Sequence, residues 1–154
     1  MSELSILYEQ DFSAWATRNA ELLMAQRFAE LDIEHLLEEL QDMGASAHNE
    51  LESRLAILLA HLLKWQFQYK QLSERWREFK GDSWRSTLIE QRNRIQKRLK
   101  RNPSLKSTLN HVINEAYTDA IKIAAKESRL APSVFPKQCP YSWEQIIDDD
   151  FYPR

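Results

Sequence analysis

The stretch Glu50–Tyr69, ELESRLAILLAHLLKWQFQY, constrains the fold more than any other part of this chain. It contains neither Gly nor Pro and is long enough for about five and a half helical turns. Leu51, Leu55, Leu58, Leu59, Leu62, Trp65 and Tyr69 recur at helical spacing. Ala56, Ala60, Leu63 and Phe67 widen that stripe to well over half of the circumference. A helix apolar over so much of its surface packs against neighbours on several sides. The stretch therefore predicts the central helix of a small bundle. One narrow face stays polar, with Arg54, His61, Lys64 and Gln68, and Ile57 among them.

Length and composition agree with this. The 154 residues suit a single domain, 1–154, able to bury most of its apolar surface. Two glycines, five prolines and scattered β-branched residues favour helix over sheet. The one cysteine, Cys139, excludes an internal disulfide and fits a reducing compartment. His61 and Lys64 interrupt the best apolar run, so no membrane span is expected. The N-terminus, MSELSILYEQDF, has no leader pattern, which makes the cytoplasm the expected location.

Before the central stretch, Asp11 is placed to cap a helix running to about Ala25, with Phe12, Trp15, Ala16, Leu22 and Leu23 inward. Asp32 caps a second, short helix whose apolar stripe is Ile33, Leu36, Leu37, Leu40 and Met43. Gly44 is expected to end it in a left-handed conformation, and Ser46 to cap the central helix. Gln71–Ser83 reads as an extension of that helix with a turn, or as a short separate helix. Asp82 or Ser83 opens a helix with Trp84, Leu88, Ile95 and Leu99 inward, and Asn102-Pro103 ends it. A fifth helix runs to about Ser128 with Leu105, Leu109, Val112, Ala116, Ala120 and Ile123 inward. The tail, 131–154, carries four of the five prolines, and within it Ser142 and Gln145 have capping-box spacing before a short helix, Trp143–Ile147. The expectation is an all-α, single-domain bundle of about five main helices with a proline-rich C-terminal tail docked across it.

The blocks ELDIEHLLEELQDMG, ELESRLAILLAHLLKWQ, SWRSTLIEQRNRI and FPKQCPY resemble a bacterial family known only as domain-of-unknown-function family 29. The resemblance spans about Tyr8 to Pro153, and the HLLKW block is its most distinctive part. It implies an all-helical fold and brings no activity, cofactor or catalytic residue.

Three constellations are candidates for function. The first is acidic: eight carboxylates and no Lys or Arg lie between Glu30 and Glu52. Glu34, Glu38 and Asp42 align on one helical face opposite the apolar stripe, which reads as a solvated surface. Di-iron bundles place Glu-x-x-His pairs inward, and no such pair occurs here, so no metal site and no cofactor are expected. The second is a candidate buried polar cluster of Glu39, Arg54, His61 and Lys64. Each charge on the central helix that faces a neighbour needs a partner, which Glu39 or another carboxylate can supply. The functional form of this cluster is an acid/base or metal-assisted site, and the structural form is a satisfied polar network.

The third constellation is basic. Between Trp84 and Arg101 stand seven Lys or Arg and one acid. Arg92, Arg94, Lys97, Arg98 and Arg101 are candidate nucleic-acid contacts, with Trp76 or Trp84 available to stack a base. The acidic stretch offers an equally good counter-charge inside one bundle or across a dimer. Cys139, His48 and His111 read as isolated residues. With no catalytic motif and sharply segregated charge, the leading expectation is a non-enzymatic helical protein-interaction module that can self-associate. Nucleic-acid binding through residues 84–101 is the alternative.

Overall fold

Side-chain caps mark the starts of several of the helices. In the computed structural model, which describes residues 2–69, 72 and 81–154, the Ser2 hydroxyl accepts a hydrogen bond from the Ser5 N–H and opens α1 (Glu3–Gln10). This helix is not expected from the sequence, because eight residues with little amphipathic contrast give a weak periodic signal. Asp11 caps α2 (Phe12–Met24) as predicted, its carboxylate accepting from the Ala14 N–H at 3.1 Å. After a 3-10 turn at Phe28–Glu30 comes α3 (Ile33–Phe67).

The length of α3 corrects the expected break. Gly44 and Ser46 lie inside one continuous helix instead of ending one and capping the next. Gly in a helix interior costs only about 1 kcal/mol relative to Ala. No Pro occurs between Ile33 and Phe67 to interrupt the backbone hydrogen bonds. Among the described residues nothing packs within 4 Å of the position a Gly44 Cβ would occupy, so none of them demands a turn there.

Helix α4 (Asp82–Arg101) follows Gly81 and ends at Asn102. A 3-10 segment, Pro103–Thr108, leads into α5 (Leu109–Ser128). After a 3-10 turn at Pro132–Val134 comes α6 (Trp143–Ile147), opened by the expected Ser142/Gln145 capping box. The described residues contain these six α-helices and no strand: the fold is all-α. No helix among them is long and apolar enough to cross a membrane. The expected element at Gln71–Ser83, with Trp76 and Phe79, lies largely outside the described residues.

The chain divides into two compact units, Met1–Ser46 and Ala47–Arg154. In the first, Trp15 and Leu22 are 2% exposed, and the rest of the interior is polar: Asn19 and Asp32 are buried beside them. Phe12 and Leu23, expected to face inward, are exposed. The stripe Ile33, Leu37, Leu40 and Met43 is also outward, between 55% and 67% exposed.

The second unit has a conventional core. Leu51, Leu55, Leu58, Leu59, Leu62 and Leu63 of α3 are wholly buried. They join Leu88, Ile95 and Leu99 of α4 with Val112, Ala116, Ala120 and Ala124 of α5 in one cluster. The 131–154 segment packs onto the end of α3. Phe135 meets Phe67 edge-on at 5.6 Å, the Tyr141 hydroxyl donates to Gln66 Oε1 at 2.7 Å, and the Tyr152 ring lies 4.8 Å from Trp65. Trp65 and Tyr69 stack at 4.4 Å over Gly81, whose φ is +69°. A Cβ at Gly81 would sit 2.7 Å from Tyr69 Cε2, so both backbone and space require Gly there.

Candidate functional site

In the first unit a polar network takes the place of a large core. Trp15 Nε1 donates to Asp32 Oδ2 at 2.9 Å, and His35 Nδ1 lies 2.7 Å from the same oxygen. The Asn19 amide donates to Trp15 O and accepts from the Asp32 N–H, tying α2 to the start of α3. Tyr8 of α1 stacks on His35 at 4.0 Å and donates its hydroxyl to Glu39. That hydrogen bond raises the Tyr8 pKa above the ordinary phenol range, helped by burial and by the charges of Glu38, Glu39 and Asp42. Burial works against the Asp32 charge, but hydrogen bonds from Trp15 and His35 outweigh it and hold the carboxyl below its usual value. The Asp32 hydrogen bond in turn raises the His35 pKa.

This network turns Asp32, His35 and Glu39 inward and leaves Ile33, Leu37, Leu40 and Met43 in the open. Of the eleven large hydrophobic side chains exposed among the described residues, nine lie at or before Met43. Ile33, Leu37 and Leu40 share one helical face. Glu34, Glu38 and Asp42 are exposed as well, in a carboxylate row one residue further round the helix from Ile33 and Leu37. The combination is an apolar stripe with an acidic margin.

The other predicted residues find separate partners. Glu39 meets Tyr8; Arg54 reaches Glu50 at 3.8 Å; and His61 Nδ1 lies 2.9 Å from the Ile57 carbonyl oxygen. Burial lowers the His61 pKa. Lys64 is 7% exposed, and its Nζ donates to Glu127 of α5 at 2.6 Å and lies 5.0 Å from the centroid of Trp84. The buried lysine is thus paired by a carboxylate far along the chain, which the sequence could not single out.

On α4, Arg92 has no exposed surface. Its Nε donates to Ile146 O and its Nη2 to Phe151 O, both at 2.9 Å, with a longer contact to Gln145 O. It holds the tail and presents nothing to a nucleic acid. Arg94 pairs with Glu90 at 3.0 Å and Arg98 with Glu50. Arg94, Lys97, Arg98 and Arg101 line one shallow surface depression that also includes Glu50.

Over this geometry, a family model described as domain of unknown function DUF29 matches residues 7–152. The chain belongs to the DUF29 family. No curated protein and no solved structure matches it. The DUF29 assignment attaches no activity to any residue.

Two residues that read as isolated in the sequence do not stand alone. His48 and His111 each have a glutamate four residues on, Glu52 and Glu115, at 3.9 and 2.7 Å. The signal available in the sequence was the repeated His-x-x-x-Glu spacing on two helices.

Proposed function

We propose that this DUF29 chain is a non-enzymatic protein-interaction module that self-associates through its N-terminal unit. The observation that carries this reading is the uncovered stripe of Ile33, Leu37 and Leu40. A contiguous apolar patch with a polar rim is the usual mark of an interaction site. The occupant that fits is α4 of a second copy. Its exposed Arg94, Lys97, Lys100 and Arg101 complement the carboxylate row, and Ile89, 49% exposed, is the large apolar side chain it leaves open. Two reciprocal contacts of this kind close a two-fold dimer.

Sedimentation velocity over a concentration series at low and high salt tests the proposal. The expected result is a monomer–dimer equilibrium that weakens with salt and with either Leu37→Glu or Lys97→Glu. A chain that stays monomeric at its highest soluble concentration in low salt overturns it.

The depression lined by Arg94, Lys97, Arg98 and Arg101 favours a second reading, nucleic-acid binding without Arg92. Here affinity for a single-stranded probe falls steeply with salt, and reversing Arg94, Lys97 and Arg101 abolishes it. Leu37→Glu leaves such binding intact while it removes the dimer, so the two readings separate. Absence of binding at low salt disposes of the second.

A further inference from the structure

His48 and Glu52 of α3 and Glu115 of α5 bring one imidazole nitrogen and two carboxylate oxygens within 4.8 Å of one another. The i, i+4 spacing places His48 and Glu52 on one face of α3, and the packing of the second unit brings Glu115 opposite them. His111, one turn before Glu115, has its Nε2 2.7 Å from Glu115 Oε1. We propose that these residues form a binding site for a divalent first-row transition metal, zinc being the representative ion. His48, Glu52 and Glu115 are the protein ligands, and His111 is the positioning residue that orients the Glu115 carboxylate.

Three observations support this assignment. First, the donor set is one nitrogen and two carboxylates, which suits zinc and its neighbours. Calcium collects six to eight oxygens, and monovalent copper prefers sulfur. Second, two carboxylates converge with no Lys or Arg paired to either among the described residues; their only ion-pair partners are the two histidines. A divalent cation supplies the charge this arrangement lacks. Third, His111 bears on Glu115 as an outer hydrogen-bond partner commonly bears on a metal-ligating carboxylate.

The fit needs only small adjustments. Ligand atoms about 2.0–2.1 Å from a tetrahedral zinc stand roughly 3.4 Å apart, so the present spread of up to 4.8 Å closes by at most about 1.4 Å. The three ligand side chains retain between 27% and 42% of their surface, which leaves their outer torsions free to make that movement. Three protein ligands also leave one coordination position for water or for a donor from a partner. This inference does not depend on how the chain self-associates, because none of the four residues belongs to the Ile33–Leu40 stripe or to α4.

The test uses the untagged full chain, stripped with a chelator and titrated with zinc chloride by calorimetry. Cobalt chloride follows as an absorption probe of inner-sphere coordination. The expected result is saturation at about one equivalent per chain, with His48→Ala and Glu115→Gln each weakening binding by at least about tenfold and His111→Ala weakening it less. In NMR spectra, zinc shifts the His48 imidazole resonances and leaves those of His35 and His61 in place. Cys139→Ser binds as the parent does. The ligand positions face solvent, so the variants keep their helicity by circular dichroism. Lack of saturable binding, binding unchanged in both His48→Ala and Glu115→Gln, or binding lost in Cys139→Ser would each overturn the site.

Discussion

Replacing Arg92 by Met is the most informative perturbation of the second unit. Methionine keeps much of the side-chain volume and removes the guanidinium. Ile146 O and Phe151 O then lose their 2.9 Å donor, while Gln145 O keeps the Asp148 N–H. Each buried carbonyl left unpaired costs about 1–3 kcal/mol. Part of that is offset, because the guanidinium is itself held out of water, which pushes its pKa down, and neither its Nη1 nor Gln91 Oε1 has a partner among the described residues. The expected net loss is about 3 kcal/mol, or roughly a 150-fold rise in the unfolded population. Urea denaturation by circular dichroism measures the loss, and tryptophan fluorescence reports release of Trp143. Lys at the same position retains the charge but lacks the fork that reaches two carbonyls, so Arg92→Lys falls between parent and Met. An Arg92→Met protein within about 0.5 kcal/mol of the parent would refute the clamp, as would Arg92→Lys equal to the parent.

Gly44→Ala is expected to stabilise the chain by roughly 1 kcal/mol in thermal melts, because the residue is helical and its surroundings are open. A destabilised variant would mean that Gly44 is held at positive φ after all. Gly81→Ala is expected to destabilise by about 2 kcal/mol or more, since φ is +69° and the new methyl meets Tyr69 and Trp65; an unchanged melting temperature would contradict that packing. The His35–Asp32 pair gives the first unit a pH window. The raised His35 pKa contributes stability that is full below about 6.5 and is lost as pH rises through its folded value. The lowered Asp32 pKa contributes above about 3.9 and is lost as pH falls through its folded value. Stability of residues 1–46 should therefore be greatest between these limits, and NMR titration of His35 measures its pKa directly. A His35 midpoint at or below 6.5 is the contrary result.

The second unit was legible because its signals are long-period and redundant. Leu51 to Leu63 repeat a stripe that only burial on several sides accommodates, and the Ser142/Gln145 box marks a helix start within a residue. The first unit is less legible, because local and tertiary signals conflict there. A stripe such as Ile33, Leu37, Leu40 predicts an inward face, yet Trp15, Asn19, Asp32 and His35 bond to one another and the stripe is left exposed. Such networks depend on pairs 13 or 17 residues apart, which no periodicity encodes. The same limit hid the Lys64–Glu127 pair, 63 residues apart, and the meeting of His48 and Glu52 with Glu115. Arg92 misled for a related reason. A run of seven cations looks uniform in one dimension, and only the fold distinguishes the one that points at the tail.

That arginine also bears on the order in which the molecule assembles. Its contacts join positions 54 and 59 residues apart, so the loop they close is entropically among the more demanding in the chain. Helices built from neighbouring residues form on faster timescales than such closures. The tail should thus be the last segment to lock in and the first to let go, making the Ile146–Phe151 stretch a hinge for stepwise opening while the leucine core stays shut.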